Sequence, residues 1–109
     1  MPTTYKVLGQ SNPSATTATT LYTVPSSTQA VVSTISVCNQ AAASATFRIA
    51  IRPDGATLAA QHYIAYGATV AANDSTFITI GATLGDTDII TVYASTSTLS
   101  FSAFGSEIS

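Results

Sequence analysis

The clearest structural signal in the chain is the stretch Ala30-Val-Val-Ser-Thr-Ile-Ser-Val-Cys-Asn39, together with the next strand-like segment, Thr46-Phe-Arg-Ile-Ala-Ile-Arg52. In both segments apolar residues recur at every second position, a pattern typical of half-buried strands. The apolar faces carry Val31, Ile35 and Val37 in the first segment and Phe47, Ile49 and Ile51 in the second. Because only a short Ala/Ser connection separates the two segments, we expect them to pair as antiparallel neighbours.

Further strands are predicted on both sides of this pair. Upstream, residues 5–8 and 20–24 have the composition of short strands, and the polar segment 10–18 is typical of an extended arm. Downstream, strand-like runs bounded by turn signals rich in Gly, Asn and Asp cover residues 61–66, 68–72, 75–80, 88–94 and 98–104.

About eight short strands separated by turns predict an all-β protein, a single-domain antiparallel β-sandwich that is jelly-roll-like. A closed barrel is the alternative architecture. The 109 residues are enough for one core but not for two. We divide the chain into an N-terminal strand and extended arm, residues 1–18, and a β-sandwich domain, residues 19–109.

The composition is poor in charge. Charged residues make up only 7% of the chain, against about 25% in an average soluble domain, and Ser and Thr supply the polar surface instead. β-proteins usually guard their edge strands with charge, above all with Lys. Because this chain has so little charge, we expect its sheet edges to be covered by other subunits in a homo-oligomer.

Several classes of partner are disfavoured. The net charge is −2 and there is no basic stripe, so no nucleic-acid partner is expected. No apolar run approaches the ~20 residues of a spanning helix, and Met-Pro-Thr-Thr-Tyr-Lys6 has no apolar core of a secretory signal, so neither a membrane anchor nor secretion is expected. Cys38 is the single cysteine and has no internal disulfide partner.

No constellation of residues predicts catalysis or metal binding. His62 is the only imidazole, and a packing or interface role is favoured because no nucleophile or second His accompanies it. Cys38 lacks a CxxC partner and is expected as a small buried residue. Asp86-Thr-Asp88 is similar to half of a calcium loop, but a capped turn is favoured because the rest of that loop is absent. We therefore expect no catalytic residue, no cofactor and no metal, and the chain is not expected to be an enzyme.

The tyrosines leave two interpretations open. Tyr22, Tyr63, Tyr66 and Tyr93 would suit a stacking face for sugars, or they would fill a core or an interface with their hydroxyl groups at its rim. The second interpretation is favoured. On the face opposite to Phe47, the two arginines of the second segment are expected to be solvated or to pair with a carboxylate across an interface.

A family resemblance covers nearly the whole chain from Leu8 onward. It rests on five ordered blocks, which are Leu21–Pro25, Val31–Asn39, Phe47–Pro53, Gln61–Tyr63 and Phe104–Ile108. Together these blocks resemble small virion structural proteins of tailed bacteriophages, notably cyanophages. The resemblance implies a component of the virion that assembles in the host cytoplasm, and it carries no catalytic residues.

From the resemblance and the composition we expect a capsid decoration (cement) protein. It would bind outside the major capsid protein as a homo-oligomer, with a trimer as the favoured state. The expected contact residues lie on the arm, from Thr3 to Thr17, and on exposed edges around two tyrosines; they are Thr3, Tyr5, Gln10, Asn12, Tyr22 and Tyr63. The alternatives are a tail, baseplate or fibre component, a carbohydrate-binding module that adheres to host glycans, and a small hydrolase.

Overall fold

Eight antiparallel strands form two four-stranded sheets in the computed structural model, which describes residues 3–109. The strands are β1 (Thr3–Ser11), β2 (Thr19–Thr23), β3 (Gln29–Asn39), β4 (Ala45–Arg52), β5 (Tyr63–Val70), β6 (Ser75–Leu84), β7 (Ile89–Ala94) and β8 (Leu99–Ile108). Sheet A has the order β1-β8-β3-β6 and sheet B has the order β2-β7-β4-β5. Short 3-10 turns at Pro53–Gly55 and Ala60–His62 interrupt the connection between β4 and β5. The predicted all-β sandwich is confirmed.

The pairing of the strands follows the topology of a jelly roll. β1 pairs with β8, β2 with β7, β3 with β6 and β4 with β5, as if one long hairpin had been rolled up. Contacts of β3 with β8 and of β4 with β7 then join these pairs into the two sheets. Two four-stranded antiparallel sheets connected in this order are the jelly-roll arrangement of eight strands.

The core lies between the two sheets and is made of inward-facing apolar side chains. Its largest fully buried members are Phe47, Phe101, Ile35, Ile49, Ile90 and Leu99. Phe47 of sheet B meets Phe101 of sheet A edge to face, with ring centroids 6.1 Å apart and an interplanar angle of 73°. Such pairs contribute about 0.5–1.5 kcal/mol beyond the area that they bury. This contact therefore links the centres of both layers.

The expected pairing of β3 with β4 is wrong, because the two strands lie in opposite sheets. The connection between them crosses from one layer to the other, and the buried side chain of Asn39 stabilises it. Its Nδ2 donates to the carbonyl of Ala43 at 2.8 Å, and its Oδ1 accepts the backbone N–H of Ala41 at 3.0 Å. Alternation along a strand indicates that one face is buried, but it does not identify the neighbouring strand.

A β-bulge in β3 corrects the expected inward face of this strand. The pairing of β3 shifts between Val32 and Thr34 against both of its neighbours. A bulge inserts one extra residue and so reverses which face the following residues occupy. Val32 and Ile35 are therefore both buried, whereas Val31 is only half-buried and lies on the outer face.

The expected face of the second segment is confirmed for its first two members. Phe47 and Ile49 are fully buried, and Ile51 is partly buried against the core. No bulge interrupts β4 in its pairing with β7, so simple alternation predicts its inward residues correctly.

The N-terminal strand is longer than predicted. β1 covers Thr3–Ser11 instead of residues 5–8, and it pairs with β8 along its length as an edge strand of sheet A. Part of the segment expected as an arm therefore belongs to the sheet. The following residues lead to sheet B, where the backbone N–H of Thr16 donates to the carbonyl of Ala94 at 2.8 Å. Residues 1–2 of the predicted arm lie outside the described residues.

Two glycines lie at close backbone approaches beside the bulges of sheet A. A Cβ atom on Gly105 would overlap the carbonyl oxygen of Val31, next to the β3 bulge. A Cβ atom on Gly9 would overlap the carbonyl oxygen of Leu21 in sheet B, beside the bulge of β1. In both places the obstacle is backbone, which has little freedom to move away. Glycine is required at both positions for steric reasons.

We predict that Gly105→Ala lowers the free energy of unfolding by about 2–3 kcal/mol, because the new methyl group forces the backbones of β8 and β3 apart. Gly85→Ala is the matched control, since a Cβ atom there would meet only a carboxylate oxygen of Asp88 at 3.8 Å. Urea unfolding followed by circular dichroism measures both. Equal stability of the two variants would contradict the close approach.

Candidate functional site

The outer face of sheet A carries no charged side chain within residues 3–109. About half of its outward residues are Ser or Thr; the others include Tyr5, Val7, Gln10, Val31, Cys38, Phe77 and Phe104. Tyr5 is 84% exposed and Phe77 is 68% exposed, at opposite edges of the sheet. Between them the strand register places Val7, Phe104 and Thr34 side by side in one row. This outer face is therefore uncharged, with exposed aromatic rings at two edges.

Both edges of sheet A are long. β1 and β6 each pair with one strand only, on their inner side, so the other side of each presents unpaired backbone groups. β6 spans ten residues and contains no charged residue and no proline. A long edge without such guards is a template for pairing with another chain. These edges continue the uncharged outer face.

Three of the six expected contact residues lie together on this surface. Thr3, Tyr5 and Gln10 all belong to β1, and Tyr5 and Gln10 point to the outer face. Asn12 lies just beyond the strand and has a structural role. Its Nδ2 donates to the carbonyl of Leu99 at 2.7 Å and to that of Ser97 at 3.0 Å, which attaches the end of β1 to the start of β8.

The expected exposed edge around Tyr22 is wrong. Tyr22 is only 7% exposed, because a bulge in β2 turns both Leu21 and Tyr22 toward the core. Its hydroxyl donates to Oε2 of Glu107 at 2.5 Å, and Oε1 of Glu107 forms an ion pair with Nζ of Lys6 at 2.9 Å. This group of three side chains connects sheet B to sheet A between β2, β8 and β1. The contact between Lys6 and Glu107 is the one ion pair among residues 3–109.

The same contacts change two pKa values. The hydrogen bond from Tyr22, followed by the hydrogen bond and charge of Lys6, lowers the pKa of the Glu107 carboxyl. Burial, followed by the hydrogen bond and charge of Glu107, raises the pKa of the Tyr22 hydroxyl above its usual value. The folded state therefore favours the ionised carboxylate and the neutral phenol.

Sheet B carries a different surface, an aromatic cluster made of Tyr63, Tyr66, Tyr93 and Arg48. The guanidinium carbon of Arg48 lies 4.2 Å from the ring centroid of Tyr66 and 4.2 Å from that of Tyr93. Tyr63 and Tyr66 meet edge to face at 5.0 Å. From the sequence alone, Arg48 is expected to be solvated or to pair with a carboxylate across an interface, whereas the structure places it against two tyrosine rings. The cluster arises because the register of sheet B places Arg48 opposite both of its tyrosine partners.

An open cleft of about 550 Å³ adjoins the aromatic cluster. It is lined by Leu58, Ala59, Ala60, Tyr63 and Tyr66, so Tyr63 and Tyr66 belong to both the cleft and the cluster. The sequence predicts an exposed apolar edge around Tyr63, which lies in this region. In the structure Tyr63 itself is half-buried, and the neighbouring Tyr66 is 65% exposed.

The wall of the cleft is a loop whose conformation depends on two side chains. His62 is buried and its Nδ1 accepts the backbone N–H of Ala59 at 3.0 Å, which confirms a packing role for this imidazole. Arg52 donates to the carbonyl of Ala56 at 2.8 Å and to that of Gly55 at 3.3 Å. Arg52 thus attaches the first part of the loop to the end of β4, and His62 stabilises the turn that precedes β5.

The remaining candidate residues have structural surroundings. Asp88 accepts backbone N–H groups from Asp54 and Gly85, both at 2.8 Å, which confirms the expected capped turn. Cys38 is half-buried on the outer face of sheet A and not in the core, because it alternates with Val37, which points inward. Within residues 3–109 no group of three or more His, Cys, Asp or Glu side chains converges to hold a metal ion. No helical segment of the same range is long and apolar enough to cross a membrane.

Comparison with known proteins adds no relative. No family model, no curated protein and no solved structure matches the chain.

We predict that Tyr22→Phe lowers the free energy of unfolding at pH 7 by about 1–2 kcal/mol, since Glu107 loses a charge-assisted hydrogen bond. The lowered pKa of Glu107 stabilises the fold above its unfolded-state pKa of about 4.3, and this stabilisation is lost as the pH falls through the folded-state pKa. The raised pKa of Tyr22 stabilises the fold below its unfolded-state pKa of about 10 and is lost as the pH rises through the folded-state pKa.

Urea unfolding of the wild type and of Tyr22→Phe across the pH range tests this prediction. The variant is expected to lose less stability than the wild type toward either extreme. Tyr5→Phe is the control, because the Tyr5 ring is exposed on the outer face of sheet A. The assignment is refuted if the wild type and Tyr22→Phe show the same dependence on pH.

Proposed function

We propose that this chain is a structural subunit of a tailed-bacteriophage virion, a decoration protein that binds the outside of the capsid as a homo-oligomer. The observation that carries the proposal is the uncharged outer face of sheet A with its two long edges, of which β6 contains no charged residue and no proline. The sequence blocks that resemble small virion proteins support it independently. On this proposal the chain acts by adhesion and its partners are copies of itself and the major capsid protein.

The outer face of sheet A has the chemistry of a contact surface. Four strands about 4.8 Å apart and roughly nine residues long span on the order of 600 Å². A standard interface buries about 800 Å² on each partner, so this face together with one edge supplies enough area. Because the face carries no charge, its association does not require the costly removal of water from ions. Tyr5 and Phe77 are exposed aromatic residues, a type that frequently dominates binding energy.

The two edges of sheet A suit a cyclic oligomer. A ring is built from heterologous contacts, in which one patch of a subunit meets a different patch of the next. β1 and β6 run in opposite directions, because all neighbours in the four-stranded order are antiparallel. β6 of one subunit is therefore able to pair with β1 of the next as an antiparallel continuation of the sheet. A trimer closed in this way would leave the outer face available to the capsid.

We predict that the purified protein sediments as an oligomer, with a trimer expected, and that Tyr5→Lys and Phe77→Lys each shift it toward the monomer. Each substitution places a lysine on an edge strand of sheet A, and a charged side chain there disfavours pairing of that edge with a strand of the neighbouring subunit. Thr69→Lys is the matched control, because Thr69 is exposed on β5 in the opposite sheet. Analytical ultracentrifugation measures the distribution. A wild type that remains monomeric at high concentration would count against covered edges.

Binding to the particle is tested with heads of the parent phage that have been stripped of this protein. Added protein is expected to bind the heads and to raise the temperature at which they break, because a ligand of the intact lattice stabilises it. Phe77→Lys should bind more weakly and Thr69→Lys should bind as the wild type does. Co-purification with tails freed of heads, and no binding to heads, would move the protein to the tail, baseplate or fibre and overturn the decoration role.

A further inference from the structure

We infer that the cleft beside the aromatic cluster binds a saccharide that carries a carboxylate group. This binding would be a second function of the chain, and it does not depend on the proposed role of sheet A. The inference rests on three observations about sheet B, which are the aromatic lining of the cleft, its size and the position of Arg48.

The lining of the cleft matches the two-sided chemistry of a sugar ring. A pyranose ring has apolar C–H groups on its faces and hydroxyl groups around its rim. Tyr63 and Tyr66 offer the corresponding combination of an aromatic surface and a polar hydroxyl tip. Leu58, Ala59 and Ala60 complete the cleft with apolar side chains.

The size of the cleft fits a short saccharide. Its volume of about 550 Å³ lies within the range of ordinary small-molecule sites, about 300–1,000 Å³. The cleft is open, and Tyr66, one of its lining residues, also contacts the guanidinium group of Arg48. A ligand of more than one ring that rests on Tyr66 would therefore extend toward Arg48.

Arg48 supplies the preference for an acidic ligand. Its guanidinium group is held between the rings of Tyr66 and Tyr93, and within residues 3–109 it has neither a carboxylate partner nor a hydrogen bond to protein. A guanidinium presents its N–H donors in a planar fork that matches a carboxylate. Because the two rings already restrict this side chain, less conformational entropy is lost when it binds. The charge and geometry at Arg48 are thus complementary to a uronate or a sialate.

The test uses oligosaccharides of galacturonate, glucuronate and N-acetylneuraminate, each compared with its methyl ester, which has the same rings but no charge. Binding to the wild-type protein is followed by calorimetry and by the NMR signals of the tyrosine rings. At least one acidic oligosaccharide is expected to bind and to shift these signals. Its methyl ester is expected to bind at least about tenfold more weakly, equivalent to about 1.4 kcal/mol.

Three variants locate the site. Arg48→Gln and Tyr66→Ala should each weaken binding at least about tenfold, by the same conversion. Thr69→Ala is the control, because Thr69 is exposed on the strand that carries Tyr66 but does not line the cleft, and it should leave binding unchanged. Circular dichroism shows whether each variant is folded, and the ring signals of the wild type report on the site without any substitution.

Three results would overturn the inference. They are no saturable binding of any of the three acidic oligosaccharides, equal binding of an acid and its methyl ester, and binding that Arg48→Gln leaves unchanged while the protein stays folded. Loss of the site would not affect the role of sheet A, because capsid binding is measured separately with Phe77→Lys. Conversely, glycan binding by a protein that ignores capsids would support the cleft and remove the decoration role.

Discussion

The close approach of β8 to β3 at Gly105 lies at the centre of the fold. Only a hydrogen atom fits between Gly105 and the carbonyl of Val31, and this contact lies next to the bulge in β3. The bulge allows Val32 on one side and Ile35 on the other to face the core, although an odd number of positions separates them. Without it, one half of the longest strand would turn its apolar residues to solvent. The core between the two sheets includes apolar side chains from both halves of β3.

The charged residues are mostly used within the fold, and this gives the surfaces their character. Lys6 and Glu107 point between the sheets, Arg52 binds the loop after β4, and Asp88 caps a turn. Sheet A is left with an uncharged outer face whose polar groups are mainly hydroxyls. Arg48 is different, because aromatic rings surround its charge and no carboxylate of the described chain neutralises it. The two sheets therefore present surfaces suited to different partners.

The candidate sites were only partly predictable. The sequence singles out Tyr5 and Gln10, which belong to one strand. Five positions separate them, so alternation alone would place them on opposite faces, and the bulge between Val7 and Gly9 is what brings both to the outer face. Tyr22 was misplaced, because the bulge in β2 that buries it depends on pairing with β7, a strand that is distant in sequence. The contact of Arg48 with Tyr66 was missed for a similar reason. It requires the register of β5 against β4, which no local pattern specifies.

The sequence alone determined that this protein is an all-β, single-domain sandwich with little surface charge, because alternation and composition are local properties that each strand expresses by itself. Only the tertiary structure decided which strands are neighbours. It placed β3 and β4 in opposite sheets, and it positioned the bulges that select the inward residues. The physical reason is that a strand with one apolar face can bury it against many partners. The choice among these partners depends on contacts between residues that are distant in sequence, such as the close backbone approach that requires glycine at Gly105.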